Sequence, residues 1–318
     1  MQNEPKTLLE AIRYFADPDA CLAFMVILRW PNGVACPTCG SIEVSFIATR
    51  RLWRCKSRHP KREFSIKVGS IFEDSPLGLD KWLPAMWMIV NDKNGVSSYE
   101  ISRALGITQQ SAWFMMHRIR LAMQDEFSVP FGGQVEVDET FIGGKARNMH
   151  KNKRVAKITG TGGIDKTAVL GLLARHGPDG HSAVRAGVVP NRRRSSLSPE
   201  VRKNVIPGSE VFTDALASYA DLADAYIHQV IDHAEEYVRG IIHTNGIENF
   251  WSLVKRALSG TYVSVEPFHL FRYLDEQSFR FNHRQVDDAD RFAMVAGSIF
   301  GKRLTYRDLI GAPTTTQG

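Results

Sequence analysis

The chain has 318 residues, 43% of them hydrophobic, and 40 Lys and Arg against 34 Asp and Glu give a formal charge of +6. This is the composition of a soluble globular protein with two or three domains, and its mild basic excess favours a polyanionic partner. No apolar run approaches the roughly 18 residues of a membrane span, and the start MQNEPKTLLE lacks the regions of a signal peptide, so no membrane partner and a cytoplasmic location are expected.

The four cysteines are Cys21, Cys36, Cys39 and Cys55, a count that without an export signal argues for metal binding over disulfides. Cys21 lies in the helix-like run ACLAFMVILRW and reads as core. "CPTCGS" begins at Cys36, and Cys55 and His59 follow in "WRCKSRHPKREFS", giving C-x2-C, a 15-residue gap and C-x3-H. Two close pairs of soft or borderline ligands suit tetrahedral zinc. The intervening β-formers, IEVSFIATRRLWRC, predict two short strands that bring the pairs together as a zinc ribbon. The alternative is a reduced C-x2-C with His59 on the surface, since Arg58, Pro60 and Lys61 surround it.

Next, LDKWLPAMWMIV has helical apolar spacing. In GVSSYEISRALGITQQSAWFMMHRIRLAM, Ser97 or Ser98 caps a helix running to about Leu105, Gly106 supplies a turn, and Thr108 caps a second helix. This spacing predicts a helix-turn-helix that presents Gln109 and Gln110 to a DNA groove and sets His117 and Arg118 near phosphates. An amphipathic helix pair inside an ordinary α domain gives a similar pattern.

"VEVDETFIGG" reads as a strand that ends on Asp138 and Glu139, with Glu139 directed to the opposite face as an outer-sphere or solvent residue. A stretch without acid follows, carrying Lys145, Arg147, Lys151, Lys153 and Arg154, and a second basic cluster comprises Arg192, Arg193 and Arg194. Both read as phosphate-facing loops. Further strands begin near Ala168 and His181, "SEVFTDALASY" reads as a strand ending at Asp214 before a short helix, and "AYIHQVID" is another strand. A helix begins near Asn245 in "HTNGIENFWSLVKRALSG", with Ile247, Phe250, Trp251, Val254 and Leu258 on its apolar face and Glu248, Ser252, Lys255 and Ser259 on its polar one. Purely structural roles exist for two of the acids: Glu248 in a capping box with Asn245, and Asp214 as an N-cap. Taken together, three carboxylates at the ends of core elements repel one another unless hard divalent cations neutralise them. The element order suggests a mixed sheet flanked by helices.

Asp138, Asp214 and Glu248, with Lys255 seven residues beyond, resemble the DDE transposases of bacterial insertion sequences. The cysteine pattern, "VEVDETFIGG", "HTNGIENFWSLVKR" and "YLDEQSFRFNHR" together resemble more narrowly their zinc-ribbon, ISXO-like group, over about Cys36 to Arg284. Here Cys55 and His59 stand where the family's ribbon has a second C-x2-C. The resemblance implies an α/β core with a ribonuclease-H-like mixed sheet, preceded by a small zinc ribbon and a helical helix-turn-helix region. The expected segments are an N-terminal helix and ribbon at 1–75, the helix-turn-helix at 76–128, the catalytic domain at 129–290 and a C-terminal extension at 291–318. It further implies two Mg2+ (or Mn2+) ions held by Asp138, Asp214 and Glu248, a structural Zn2+, and Lys255 on a phosphate near the cleaved end. Asn245 competes with Glu248 as third ligand. The implied partner is double-stranded DNA, both terminal inverted repeats and target, bound by a homodimer; the implied reaction is strand cleavage and strand transfer. A catalytically silent DNA-binding regulator and a structure-selective nuclease are the rival readings.

Overall fold

The computed structural model describes residues 5–124, 129–143, 166–177, 180–214, 217–231 and 243–311. The chain divides into two compact units, Met1–Gln124 with Gln285–Gly318, and Asp125–Arg284.

In the first unit, α1 (Leu8–Tyr14) and α2 (Pro18–Arg29) begin on side-chain caps from Thr7 and Asp17. Cys21, within α2, is fully buried and donates its thiol to the carbonyl of Phe15, as its apolar neighbours led one to expect. Three short antiparallel strands follow, β1 (Val44–Ile47), β2 (Leu52–Cys55) and β3 (Glu63–Phe64). The helix α3 (Leu79–Asn91) is apolar almost all round and buries Trp82, Leu83, Met86, Trp87, Ile89 and Val90, the mark of a central core helix. Then come α4 (Ser98–Leu105), capped by a Ser97–Glu100 capping box and closed by Gly106 at φ +63°, and α5 (Gln109–Ala122), capped by Thr108. The sequence cues offered Ser97 or Ser98 for the first cap and Thr108 for the second, and the structure selects Ser97, whose capping box with Glu100 is formed.

The second unit is built on a five-stranded sheet. Its elements are β4 (Gln134–Ile142), β5 (Thr167–Ala174), β6 (Ala183–Val189), α6 (Arg194–Asn204), β7 (Glu210–Asp214), β8 (Ile227–Ile231), α7 (Asn245–Gly260) and α8 (Leu270–Asn282). Short 3-10 turns occupy Ala217–Tyr219 and Leu222–Asp224. The strand order is β6-β5-β4-β7-β8: β5 is antiparallel to both β4 and β6, whereas β4, β7 and β8 run parallel. The sheet is therefore mixed. Alternation along the strands divides the core in two. Val135, Val137, Leu170 and Leu172 pack with Leu197 and Val201 of α6 and with Tyr219 and Leu222, while Val169, Leu173 and Val184 meet α7 and α8. Asn282 extends the edge of β6, accepting from the backbone N–H of Val184 and donating to its carbonyl.

The helix α6 was not anticipated. It buries only Leu197 and Val201 as apolar side chains and carries an internal Pro199, so its periodicity is faint, and the cluster read as a loop instead opens this helix, with Arg193 at the N-cap and Arg194 as first residue.

Back in the first unit, α9 (Asp288–Gly297) and α10 (Tyr306–Leu309) complete the chain's described part. The stretch expected as an extension joins the helical core: Phe292 lies against Phe15, Phe24 and Trp87.

Gly171 on β5 lies under α7. A Cβ there would stand 2.5 Å from Trp251 Cζ2 and 2.8 Å from Ile247 Cδ1. Overpacking of this kind costs about 1–3 kcal/mol, so Gly171→Ala is expected to lower the stability of the second unit by that amount in urea unfolding, and an unchanged midpoint would show that α7 is seated more loosely than described.

Candidate active site and metal centre

Asp138 faces Gly171 across the β4–β5 ladder. On its other side β4 pairs in parallel with β7, Glu136 lying beside Phe212. The paired register ends at Glu136 and Phe212; β4 continues to Asp138 and β7 ends two residues later at Asp214, whose charge reaches Asp138. Burial, and then the negative charges of Glu139 and Asp214, push the Asp138 carboxyl up to about 7. Its Oδ2 accepts a hydrogen bond from the indole Nε1 of Trp251 at 3.0 Å.

Trp251 belongs to α7, and Glu248 lies one helical turn before it. Glu248 and Lys255 are both exposed and share one flank of α7, on the side of Trp251. Thr244 donates its hydroxyl to Glu248 Oε1 at 2.9 Å. The capping box with Asn245 is not formed: Thr244 is the N-cap residue and Asn245 is the exposed first residue of the helix. The cap comes from elsewhere. Glu136, 1% exposed, accepts the backbone N–H of Ile247 on Oε2 at 2.9 Å and the Nε–H of Arg175 on Oε1 at 2.8 Å. Glu136 and Trp251 are the site residues that sequence reasoning passed over, although the V-E-V-D alternation already puts Glu136 on the face of Asp138.

Glu139 does point to the opposite face, but not to solvent. Its side chain is 2% exposed, accepting from Tyr219 OH at 2.7 Å and pairing with Arg192 Nη1 at 3.3 Å. Burial raises its carboxyl against those two partners. Arg192 also lies over the ring of Phe141, and Arg194 is 3.7 Å from Asp221, while Arg193 is exposed at the cap of α6. Lys145, Arg147, Lys151, Lys153 and Arg154 lie outside the described residues.

In the helical pair, Gln109 donates to Ser98 and Gln110 to the hydroxyl of Tyr306. His117 and Arg118 do not reach a phosphate-facing surface. His117 is fully buried, and Arg118 donates to the carbonyls of Leu304, Ile71 and Glu73 at 2.8–3.0 Å. Both fall on the part of α5 that is buried from Met115 to Arg120.

Among the described residues, the His, Cys, Asp and Glu group gathered within 4.8 Å is Cys36, Cys39, Cys55 and His59. Cys36 Sγ is 3.4 Å from His59 Nε2, and Cys39 Sγ is 3.7 Å from Cys55 Sγ. The edges of a tetrahedral site with Zn–S near 2.3 Å and Zn–N near 2.0 Å run roughly 3.5–3.8 Å, so the set fits structural zinc. His59 Nδ1 donates to the Pro60 carbonyl, which can only accept, leaving Nε2 free as a ligand. Gly40, at φ +73°, lets its N–H turn back to the Cys36 carbonyl and forms the knuckle. Asp138, Asp214 and Glu248 are not drawn to within 4.8 Å of one another. Their donors are nonetheless all oxygens, and a buried carboxylate raised to about 7 beside a second one fits a hard divalent cation that relieves the repulsion.

Two outcomes follow for measurement. Because the folded-state value of Asp138 lies above its unfolded value near 3.8, the fold favours the protonated acid; that contribution is full below about pH 4 and is lost as pH rises through 7. In buffer free of magnesium and manganese, Asp138→Asn should raise the melting temperature by a few degrees at pH 8 and leave it unchanged at pH 4. In the ribbon, His59→Ala should weaken zinc retention against a chelator and Cys36→Ser should abolish it; full retention by His59→Ala would remove His59 from the ligand set.

The ISXO2-like transposase domain family matches residues 130–282, and the transposase zinc-ribbon domain matches residues 16–57, stopping short of His59. A Halobacterium salinarum protein described as an uncharacterized protein in transposable element ISH50 is 26% identical over 258 residues, 78% of this chain and 85% of the relative. A Haemophilus influenzae uncharacterized transposase-like protein is 36% identical over 101 residues, 31% of this chain and 80% of the relative. Carrying both domains in succession, the chain belongs to the ISXO2-like family of insertion-sequence transposases.

Proposed function

We propose that this transposase binds the terminal inverted repeats of its insertion sequence and catalyses metal-dependent DNA strand cleavage and strand transfer. The observation that carries this reading is that Asp138 and Asp214 lie on parallel neighbouring strands, close enough for the charge of Asp214 to act on Asp138, with Trp251 of the helix bearing Glu248 bonded to Asp138. Asp138, Asp214 and Glu248 would hold two Mg2+ or Mn2+ ions, which when bound supply Lewis-acid activation of the attacking and leaving oxygens. Trp251 and the backbone N–H of Glu139 hold the Asp138 carboxylate. Lys255, two turns beyond Glu248 on the same exposed face, offers an ammonium to a phosphate. The ribonuclease-H-like reading is supported by the mixed sheet with both acidic strands parallel and adjacent at its centre.

DNA end recognition falls to the ribbon and to α4–α5, acting as a helix-turn-helix. With His117 and Arg118 buried, base contacts on this reading concentrate on Gln109 and Gln110 in the first turn of α5, where a recognition helix meets base edges. The exposed Arg193, Arg194 and Lys255, with the basic stretch after Gly144, complete the path for the backbone. A homodimer pairing two ends follows from the family resemblance.

The test is a cleavage and joining assay with DNA carrying the inverted repeats that flank the gene, in Mg2+, Mn2+ or EDTA. Asp138→Ala, Asp214→Ala and Glu248→Gln should each lower product by roughly a thousandfold or more, a loss of several kcal/mol of transition-state stabilisation, while repeat binding persists. Tight repeat binding without metal-dependent product would favour the regulator. Free ends without joined products would favour the nuclease.

A further inference from the structure

We propose that Glu136, locked by Arg175 and admitted by Gly246, is a positioning residue that sets α7, and through it Glu248 and Trp251, for cation binding at Asp138. The inference rests on the functional reading above. Glu136 is a buried carboxylate on the strand that carries Asp138, and its two oxygens have separate tasks: Oε2 takes the N–H of Ile247, one residue before Glu248, and Oε1 takes Arg175. Arg175 in turn donates to the carbonyl of His243 and stacks over Phe212 of β7, so the same cluster touches the strand ending in Asp214. The approach is close enough to constrain sequence. A Cβ at Gly246 would stand 2.9 Å from Glu136 Oε2 and 3.1 Å from Leu173 Cδ2. Trp251 then lies one turn along the seated helix, bonded to Asp138.

Both Glu136 oxygens accept, Oε2 from the Ile247 N–H and Oε1 from the Arg175 Nε–H, with His243 Nδ1 also 3.4 Å from Oε1. A Gln has one acceptor oxygen and an NH2, so it must leave either Ile247 N–H or Arg175 Nε–H opposed to a donor. Gly246→Ala leaves the ion pair chemically intact but moves the carboxylate off the helix N-terminus. A purely structural role predicts that the crowding against Glu136 and Leu173 shows in the thermal melt, with Mn2+ affinity unchanged.

The experiment uses the full-length zinc-loaded protein and reads Mn2+ affinity by electron paramagnetic resonance titration, with thermal melts and repeat binding in parallel. Glu136→Gln and Gly246→Ala are each expected to weaken Mn2+ binding about tenfold or more, the size of effect seen for outer-sphere partners of metal ligands, with repeat binding within about twofold of wild type. If Glu136→Gln fails to fold, Gly246→Ala carries the test. Should Asp138→Ala lose Mn2+ while folded Glu136→Gln and Gly246→Ala bind it like wild type, the positioning role is overturned and the functional reading stands. Should Asp138→Ala itself bind Mn2+ like wild type, the functional reading fails and the positioning role with it.

Discussion

The N-terminus of α7 is held by a carboxylate that arrives from a strand 111 residues earlier in the chain. A helix N-terminus carries unsatisfied N–H groups and partial positive charge, and buried ones need an acceptor. Glu136 supplies it from the middle of the sheet, and Arg175 keeps the buried charge compensated. Removing one partner of such a pair leaves an uncompensated charge, which costs about 3–5 kcal/mol, far more than an exposed ion pair contributes. Everything on that face of the sheet follows from how this helix is seated: the hollow at Gly171, the indole that fills it, and the bond from that indole to Asp138.

Adjacent carboxylates on one strand thereby acquire opposite characters. Asp138, on the α7 face, has Trp251 as donor and a second acid alongside, an arrangement that a cation would relieve. Glu139, on the α6 face, is closed in by Tyr219 and Arg192 and already has its donors. The end of β7 is braced in a similar way: the buried Thr213 hydroxyl bonds the Asp214 carbonyl and meets His228 Nε2 at 2.9 Å, and burial lowers the basicity of that imidazole. Strand pleating separates roles that a linear reading places side by side.

The N-terminal unit shows two different solutions to local stability. The ribbon has three strands of two to four residues, too little sheet to be stable by burial alone, so a zinc held by Cys36, Cys39, Cys55 and His59 would do what a core cannot. The helical part instead buries aromatic rings around α3 and spends Arg118 as an internal strut across three backbone carbonyls. A basic side chain on a helix next to a turn is consistent with DNA contact or with a strut, and only its surroundings distinguish the two.

The sequence by itself determined whatever is encoded by neighbours: the caps at Ser97 or Ser98 and at Thr108, the left-handed Gly106, the paired C-x2-C and C-x3-H, the strand ending in Asp214 and the amphipathic face of α7. These are short-range effects, set by backbone hydrogen bonds within a turn or by periodic burial, and so they are visible in windows of a few residues. Tertiary structure alone decided which side chains meet. It brought the strand ending in Asp214 alongside the strand of Asp138 through a parallel pairing, turned Trp251 from core filler into a donor, moved the cap of α7 from Asn245 to Glu136, and buried His117 and Arg118. Those outcomes depend on register and on contacts across 50 to more than 100 residues, for which the free energy lies in the assembled sheet and helix and in no segment taken alone.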